Sequence, residues 1–289
     1  MRCKYYKFAG LEFAVEMSQE LMYDQDHRLE PFRVEAVEDP HWFRFEKVEK
    51  LAEPSGRCVT KQPDFLVYQE ENSAVRYVGL IGGSWENALF RVTFGGSENR
   101  VQLRASAFPG RVGSRTVLDA FAAEHLTVRN GGVIFHCSYI DRNGKAVLFT
   151  APSQTGKSTQ ADLWRQYRGT DIVNGDRAAI RIAEGQILAE GIPFSGSSPY
   201  CDNRTLLLEA IVYLGQAPKT SIRKLRGIEA FSRIWEGVSV NTWDRKDLEM
   251  ASETVKKIAE SVPVYHMPCT PDEDAVLILE QALRKQAQL

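Results

Sequence analysis

The sequence lacks an apolar run approaching the ~20 residues that a membrane-spanning helix needs. Its opening, Met1-Arg2-Cys3-Lys4-Tyr5-Tyr6-Lys7, is not followed by the apolar core of a signal peptide. A membrane is therefore not an expected partner. A basic excess is also missing, because 36 Lys and Arg stand against 38 Asp and Glu, for a net charge of −2. Binding along a phosphate backbone depends on a surplus of cations, so nucleic acid is not an expected partner either. Cysteine is sparse and scattered: Cys3, Cys58, Cys137, Cys201 and Cys269 form no C-x-x-C pair and are odd in number. That argues against a zinc site and a disulfide framework, and a cytoplasmic protein with reduced thiols is expected. Repeats, heptads and low-complexity tracts are absent.

The 289 residues, 43% apolar and 26% charged, suffice for one large or two modest domains with a real core. Segments 65–68, 75–81, 89–94 and 101–105 are rich in β-branched and aromatic residues and separated by Gly82-Gly83-Ser84 and Gly95-Gly96-Ser97. A β-rich first domain over 1–110 is expected, with its opening 42 residues less regular and a short helix at 116–125 following it. The second domain, 111–289, has a different grammar. A strand at 133–140, a turn at Asp141-Arg142-Asn143-Gly144 and a strand at 146–150 predict a hairpin. Further strands are expected at 171–176, 178–183, 186–190, 206–214 and 262–266. Helices are expected after residue 156, at about 245–260 and from Asp272 to about 286, in a mixed sheet.

The hairpin runs into Ala151-Pro152-Ser153-Gln154-Thr155-Gly156-Lys157-Ser158-Thr159. A strand, a small-residue loop and Gly-Lys-Ser at a helix start make a phosphate-binding loop, although Ala151 replaces the usual first glycine. The geometry turns backbone N–H groups, a helix N-terminus with about half a positive charge, and one ammonium toward a polyphosphate. Ser153, Gln154, Thr155, Gly156, Lys157, Ser158 and Thr159 are the nucleotide-binding candidates. Lys157 is expected on the β and γ oxygens of ATP and the Ser158 hydroxyl on Mg²⁺. A triphosphate is not buried unpaired, so both the lysine and the divalent ion are expected.

Transfer from ATP to an alcohol needs a strand-end carboxylate, and Asp176 in Asn174-Gly175-Asp176 is the candidate for base and metal ligand, with a plain turn aspartate as the alternative. His136 shares a strand face with Ile134 and Ser138. It either assists at the site or is an ordinary core histidine. Glu190, ending a strand before Gly191-Ile192-Pro193, is a candidate second metal carboxylate or a solvent-exposed strand end. The hydroxyl-rich stretch 191–200 reads as a functional loop that covers the nucleotide or holds the acceptor, or as plain surface.

The order His136, hairpin, Ala-Pro-Ser-Gln-Thr-Gly-Lys-Ser-Thr, Asn174-Gly175-Asp176-Arg177 and Gly191-Ile192-Pro193 resembles the kinase domain of HPr kinase/phosphorylase and its relatives, over roughly 130–285. The resemblance implies an α/β (α+β) fold with a mixed sheet, of the HPr kinase C-terminal type shared with ATP-dependent phosphoenolpyruvate carboxykinase. It implies ATP on Lys157 and Ser158, Asp176 as base, and His136 beside it. A closer likeness is to the relatives resembling lasso-peptide precursor kinases, which implies a serine on a peptide or small protein as acceptor. Relatives that form hexamers leave a homo-oligomer open. A metabolite kinase and a non-catalytic nucleotide sensor remain the alternatives.

Overall fold

Alternation of apolar and polar side chains builds the first part of the chain out of strands from its second residue. Strands β1 (Arg2–Phe8) and β2 (Leu11–Met17) bury Tyr6, Phe8, Leu11, Phe13, Val15 and Met17. Ala9 and Gly10, both at positive φ, turn one into the other, as tight hairpins of twisted strands require. The described part of 1–42 is thus more regular than expected, and Tyr6, Phe8 and Phe13 are buried side chains of this hairpin.

The computed structural model describes residues 1–23, 26–71 and 73–286; residues 24, 25, 72 and 287–289, which fall within the domain ranges above, lie outside the described residues. The chain divides into two compact units, 1–123 with 242–245, and 124–241 with 246–289. In the first, β3 (Arg33–Val34), β4 (His41–Val48), β5 (Arg57–Lys61) and β6 (Phe65–Gln69) are followed by β7 (Ala74–Val78), β8 (Phe90–Gly95) and β9 (Glu98–Arg104). The described strands form one sheet in the order β3-β1-β2-β4-β9-β8-β7-β6-β5. It is antiparallel except where β4 lies parallel to β2 and to β9. Helix α1 (Ser114–Phe121) brings Phe121 onto Phe13, with ring centroids 4.6 Å apart. The helix expected over 116–125 is interrupted: Ala122, at a φ of 45°, ends α1, and α2 (Ala123–Arg129) starts at once.

From Gly132 onward the elements are β10 (Gly132–His136), β11 (Ser138–Arg142), β12 (Lys145–Thr150), α3 (Lys157–Arg168), β13 (Asp171–Asn174), β14 (Arg177–Ala183) and β15 (Gln186–Glu190). They continue as β16 (Thr205–Gln216), β17 (Arg223–Leu225), α4 (Gly227–Trp235), β18 (Val238–Ser239), α5 (Arg245–Ser261), β19 (Val264–Cys269) and α6 (Glu273–Gln286). The second sheet runs β13-β11-β12-β16-β15-β14-β10-β18, with β19 parallel to β16 and β17 on β19. Residues of β12 alternate between two cores. Val147 and Phe149 meet Trp164 of α3 and Leu279 of α6, whereas Leu148 joins Ile234 of α4 and Val255 of α5. Burying each such side chain stabilises by roughly 1.5–3 kcal/mol, so the strand that leads into residues 151–156 is fixed from both faces.

The expected hairpin is present: β11 and β12 pair antiparallel from Ser138↔Phe149 to Arg142↔Lys145. Asn143 and Gly144 supply the two positive-φ residues of its turn, and the Gly144 N–H donates to Asp141 Oδ1 at 2.7 Å. The single strand expected over 133–140 breaks at Cys137. Its first half pairs with β14 and its second with β12 and β13. At the break the His136 N–H donates to the Gly237 carbonyl at 2.7 Å and the Cys137 N–H to the Asp176 carbonyl at 3.0 Å. The sheet has opened there, and the candidate site lies beside the opening.

Candidate functional site

Strand β12 ends at Thr150, whose hydroxyl donates to the His136 carbonyl at 3.0 Å and fastens the loop's entry to the break between β10 and β11. The chain then leaves the extended conformation at Gln154, with a φ of 63°, and at Gly156, with a φ of 117°. Ala151 is not among the positive-φ residues, so the usual first glycine is not needed for backbone freedom here. Helix α3 begins directly after Gly156, and no side chain caps its first amides. Those donors and the positive end of the helix are the physical basis of an anion site. Lys157 folds back over the loop, its Nζ donating to the Ala151 carbonyl at 3.1 Å and to that of Pro152 at 3.5 Å. Burial pushes the Lys157 amine below its ordinary pKa, opposed by the negative charge of Asp176.

A cavity of about 470 Å³ opens in front of this loop. Ser153, Gln154, Lys157 and Ser158 form one side; His136, Ser138, Gly175 and Asp176 another; Ser195 and residues 197–200 a third. Thr155, Gly156, Thr159 and Glu190 are not among the residues that line it. A larger open groove of about 790 Å³ between α4 and α5, with Lys224, Arg226 and Lys256 at its rim, contains none of the motif residues.

Asp176 is held by the turn that carries it. Asn174 is fully buried, and its Oδ1 accepts the backbone N–H groups of Asp176 at 2.9 Å and Arg177 at 3.0 Å. Its Nδ2 donates to the Ile192 carbonyl at 2.9 Å and that of Phe194 at 3.4 Å. One side chain thereby pins both the acid's turn and the serine-rich loop, and the Asn174 amide is wholly engaged by backbone. His136 Nε2 lies 3.2 Å from Asp176 Oδ1 and Arg177 Nε 3.4 Å from Asp176 Oδ2. The hydrogen bond to His136, outweighing burial and reinforced by both neighbours' charge, holds the Asp176 carboxyl below its usual pKa. Ser158, Asp162 and Asp176 are among the oxygen donors that line the cavity and suit a hard cation.

Glu190 stands elsewhere, contrary to the expectation of a second metal carboxylate. It is 4% exposed, and its Oε1 accepts from Arg181 Nε at 3.0 Å and Nη2 at 2.6 Å. Because Glu190 pairs in register with Ala179, the β-strand period of two puts Arg181 on its own face of the sheet. A strand end that read as solvent-exposed is therefore a buried ion pair.

Two close approaches fit the serine-rich loop to Asp176. A Cβ on Gly175 would lie 2.1 Å from Ser198 Oγ, and one on Gly196 only 2.9 Å from Asp176 Cγ. Gly196 also has a φ of 56°, in the left-handed region that favours glycine. G196A should displace the carboxylate. A misplacement of about 1 Å costs on the order of a hundredfold in rate, so a reaction that uses the Asp176 carboxylate should slow by about that factor in G196A. Parent-like turnover in a steady-state assay would show that the carboxylate's position is unimportant.

Sequence reasoning did not single out Asp162 and took Tyr200 only as the end of the 191–200 stretch; both line the cavity. Asp162 lies four residues after Ser158 on α3, a helical spacing that offered a signal. Tyr200 meets Arg165, which hydrogen-bonds its hydroxyl, and no local pattern marks that pair.

No protein-family model matches the chain, and no curated protein matches it. Among solved structures it has a likeness to the Hpr(Ser) kinase/phosphatase from Coxiella burnetii, at 13% identity and a TM-score of 0.33, over 54% of this chain and 90% of that one. No helix among the described residues is long and apolar enough to cross a membrane. The functional reading rests on the cavity's own residues.

Proposed function

We propose that this chain is an ATP- and Mg²⁺-dependent kinase that transfers the γ-phosphoryl group to an alcohol, the acceptor being a serine hydroxyl of a peptide or small protein. The observation that carries this reading is the meeting of Lys157, Ser158 and Asp176 on one cavity at an uncapped helix N-terminus. Amides of residues 154–158 hold the β-phosphate, and Lys157 exchanges its bonds to Ala151 and Pro152 for the β and γ oxygens. Mg²⁺, when bound, neutralises phosphate charge; Ser158 and Asp176 would hold it.

Transfer forms a bond between the acceptor oxygen and the γ-phosphorus and breaks the bond from that phosphorus to the β–γ bridging oxygen. ADP leaves with that oxygen, and the hydroxyl proton passes to Asp176. His136, bonded to the same carboxylate, orients it. The test is incubation with γ-labelled ATP and Mg²⁺ in the presence of serine-containing peptides, free serine or small hydroxy acids. Label on a peptide serine is the expected result. Label on a small molecule alone would make the chain a metabolite kinase, and nucleotide binding with neither label transfer nor loss of ATP would make it a sensor.

A further inference from the structure

The loop after β15 buries a hydroxyl that has nothing to bond to. Ser195 is 1% exposed and lines the cavity with Lys157 and Asp176, yet its Oγ has no hydrogen-bond partner among the described residues. Two other hydroxyls that line the cavity are satisfied. Ser138 Oγ donates to the Gly175 carbonyl at 3.2 Å, and Ser198 Oγ accepts the Tyr200 N–H at 3.1 Å. The backbone on either side is fastened, since the Phe194 carbonyl accepts from Asn174 Nδ2 at 3.4 Å and the Ser195 carbonyl from the Ser198 N–H at 2.8 Å. Ser195 is held inside the cavity wall rather than free to turn toward water. Buried polar groups in native proteins are rarely left unpaired, and one that lines a cavity calls for an explanation.

The next residue, Gly196, packs against the Asp176 carboxylate, so the residue that carries the orphan hydroxyl adjoins in the chain one that touches the acid, and both Ser195 and Asp176 line the cavity. A phosphoryl oxygen that approaches from the loop of residues 151–156 meets negative charge on that side. A neutral O–H donor offsets this without adding a cation that would compete for Asp176. Hydrogen bonds to ionised oxygens are also about twice as strong as neutral ones.

We propose that the Ser195 hydroxyl donates a hydrogen bond to the terminal phosphoryl group of the bound nucleotide and so completes, from the serine-rich side, the cradle begun by residues 154–158. This rests on the nucleotide-binding reading above. It predicts that Ser195 is a cost in the free protein and a gain in the complex, a pairing of signs that a merely structural serine does not produce.

The test compares the parent with S195A by thermal unfolding and by calorimetry, using Mg²⁺ with an imido-bridged ATP analogue and, separately, with ADP. The free S195A protein is expected to melt a few degrees above the parent, because an unmade buried hydrogen bond has been removed. Its affinity for the analogue should fall about tenfold to a hundredfold, with ADP affinity within twofold. Equal affinity of parent and S195A for the analogue, an equal loss for analogue and ADP, or a lower melting temperature in S195A would overturn the assignment while leaving the kinase reading intact. Failure of the parent itself to bind either nucleotide would overturn both.

Discussion

Lys157→Ala is expected to lower phosphoryl transfer a hundredfold to a thousandfold, the usual effect of removing one preorganised charge from a transition state. The fold should survive. Among the described residues the Lys157 Nζ hydrogen-bonds to the carbonyls of Ala151 and Pro152, at the start of the loop, and to no side chain. Chemical denaturation midpoints of parent and variant should therefore agree closely, while label transfer from ATP separates them. Transfer by K157A at the parental rate would remove the lysine from the mechanism. A pH dependence follows from the same residue. Burial holds the amine below its ordinary value, so nucleotide affinity is lost as pH rises through a point lower than the ~10.4 of a free lysine. In K157A that alkaline limb should vanish.

Asp176→Asn should bind nucleotide but transfer about a hundredfold to ten-thousandfold more slowly, the range for loss of a positioned general base. Shape is kept, because the amide oxygen can still accept from His136 and the turn is held by Asn174 rather than by the acid itself. Single-turnover assays with saturating ATP measure the loss, and comparable turnover would move the base to another group. The Asp176 pKa is depressed, so the carboxylate is ionised throughout the neutral range. Its contribution to stability is present above the unfolded value of ~3.9 and disappears as pH falls through the lower folded value. The acid limb of the rate profile assigned to Asp176 accordingly lies below the ordinary carboxylate range.

Much of the second unit was legible because its signals are local. Asn143-Gly144 fixed the hairpin turn, the alternation of residues 146–150 fixed the strand, and Gly156-Lys157-Ser158 fixed the start of α3. Ser138 was placed on the face of His136 by strand period, and the two do line one cavity despite the break between them. What was not legible depends on partners distant in sequence. Glu190 is explained by Arg181 on the neighbouring strand, and the split of 133–140 by pairings that diverge at Cys137. The Asn174 amide bonds to backbone at 176–177 and at 192 and 194, which no spacing rule reveals. The β1–β2 hairpin was missed for another reason: Ala9-Gly10 is a weaker turn signal than Asn-Gly, and its φ of 52° at an alanine is imposed by pairing of the flanking strands.

The most direct measurement is a crystal structure of the full chain with Mg²⁺ and an imido-bridged ATP analogue. The account predicts the phosphates against the amides of residues 154–158, with the Lys157 ammonium released from the Ala151 and Pro152 carbonyls and bonded to them instead, and the terminal phosphate facing Asp176. Analogue bound elsewhere, with Lys157 still folded onto its own loop, would contradict it.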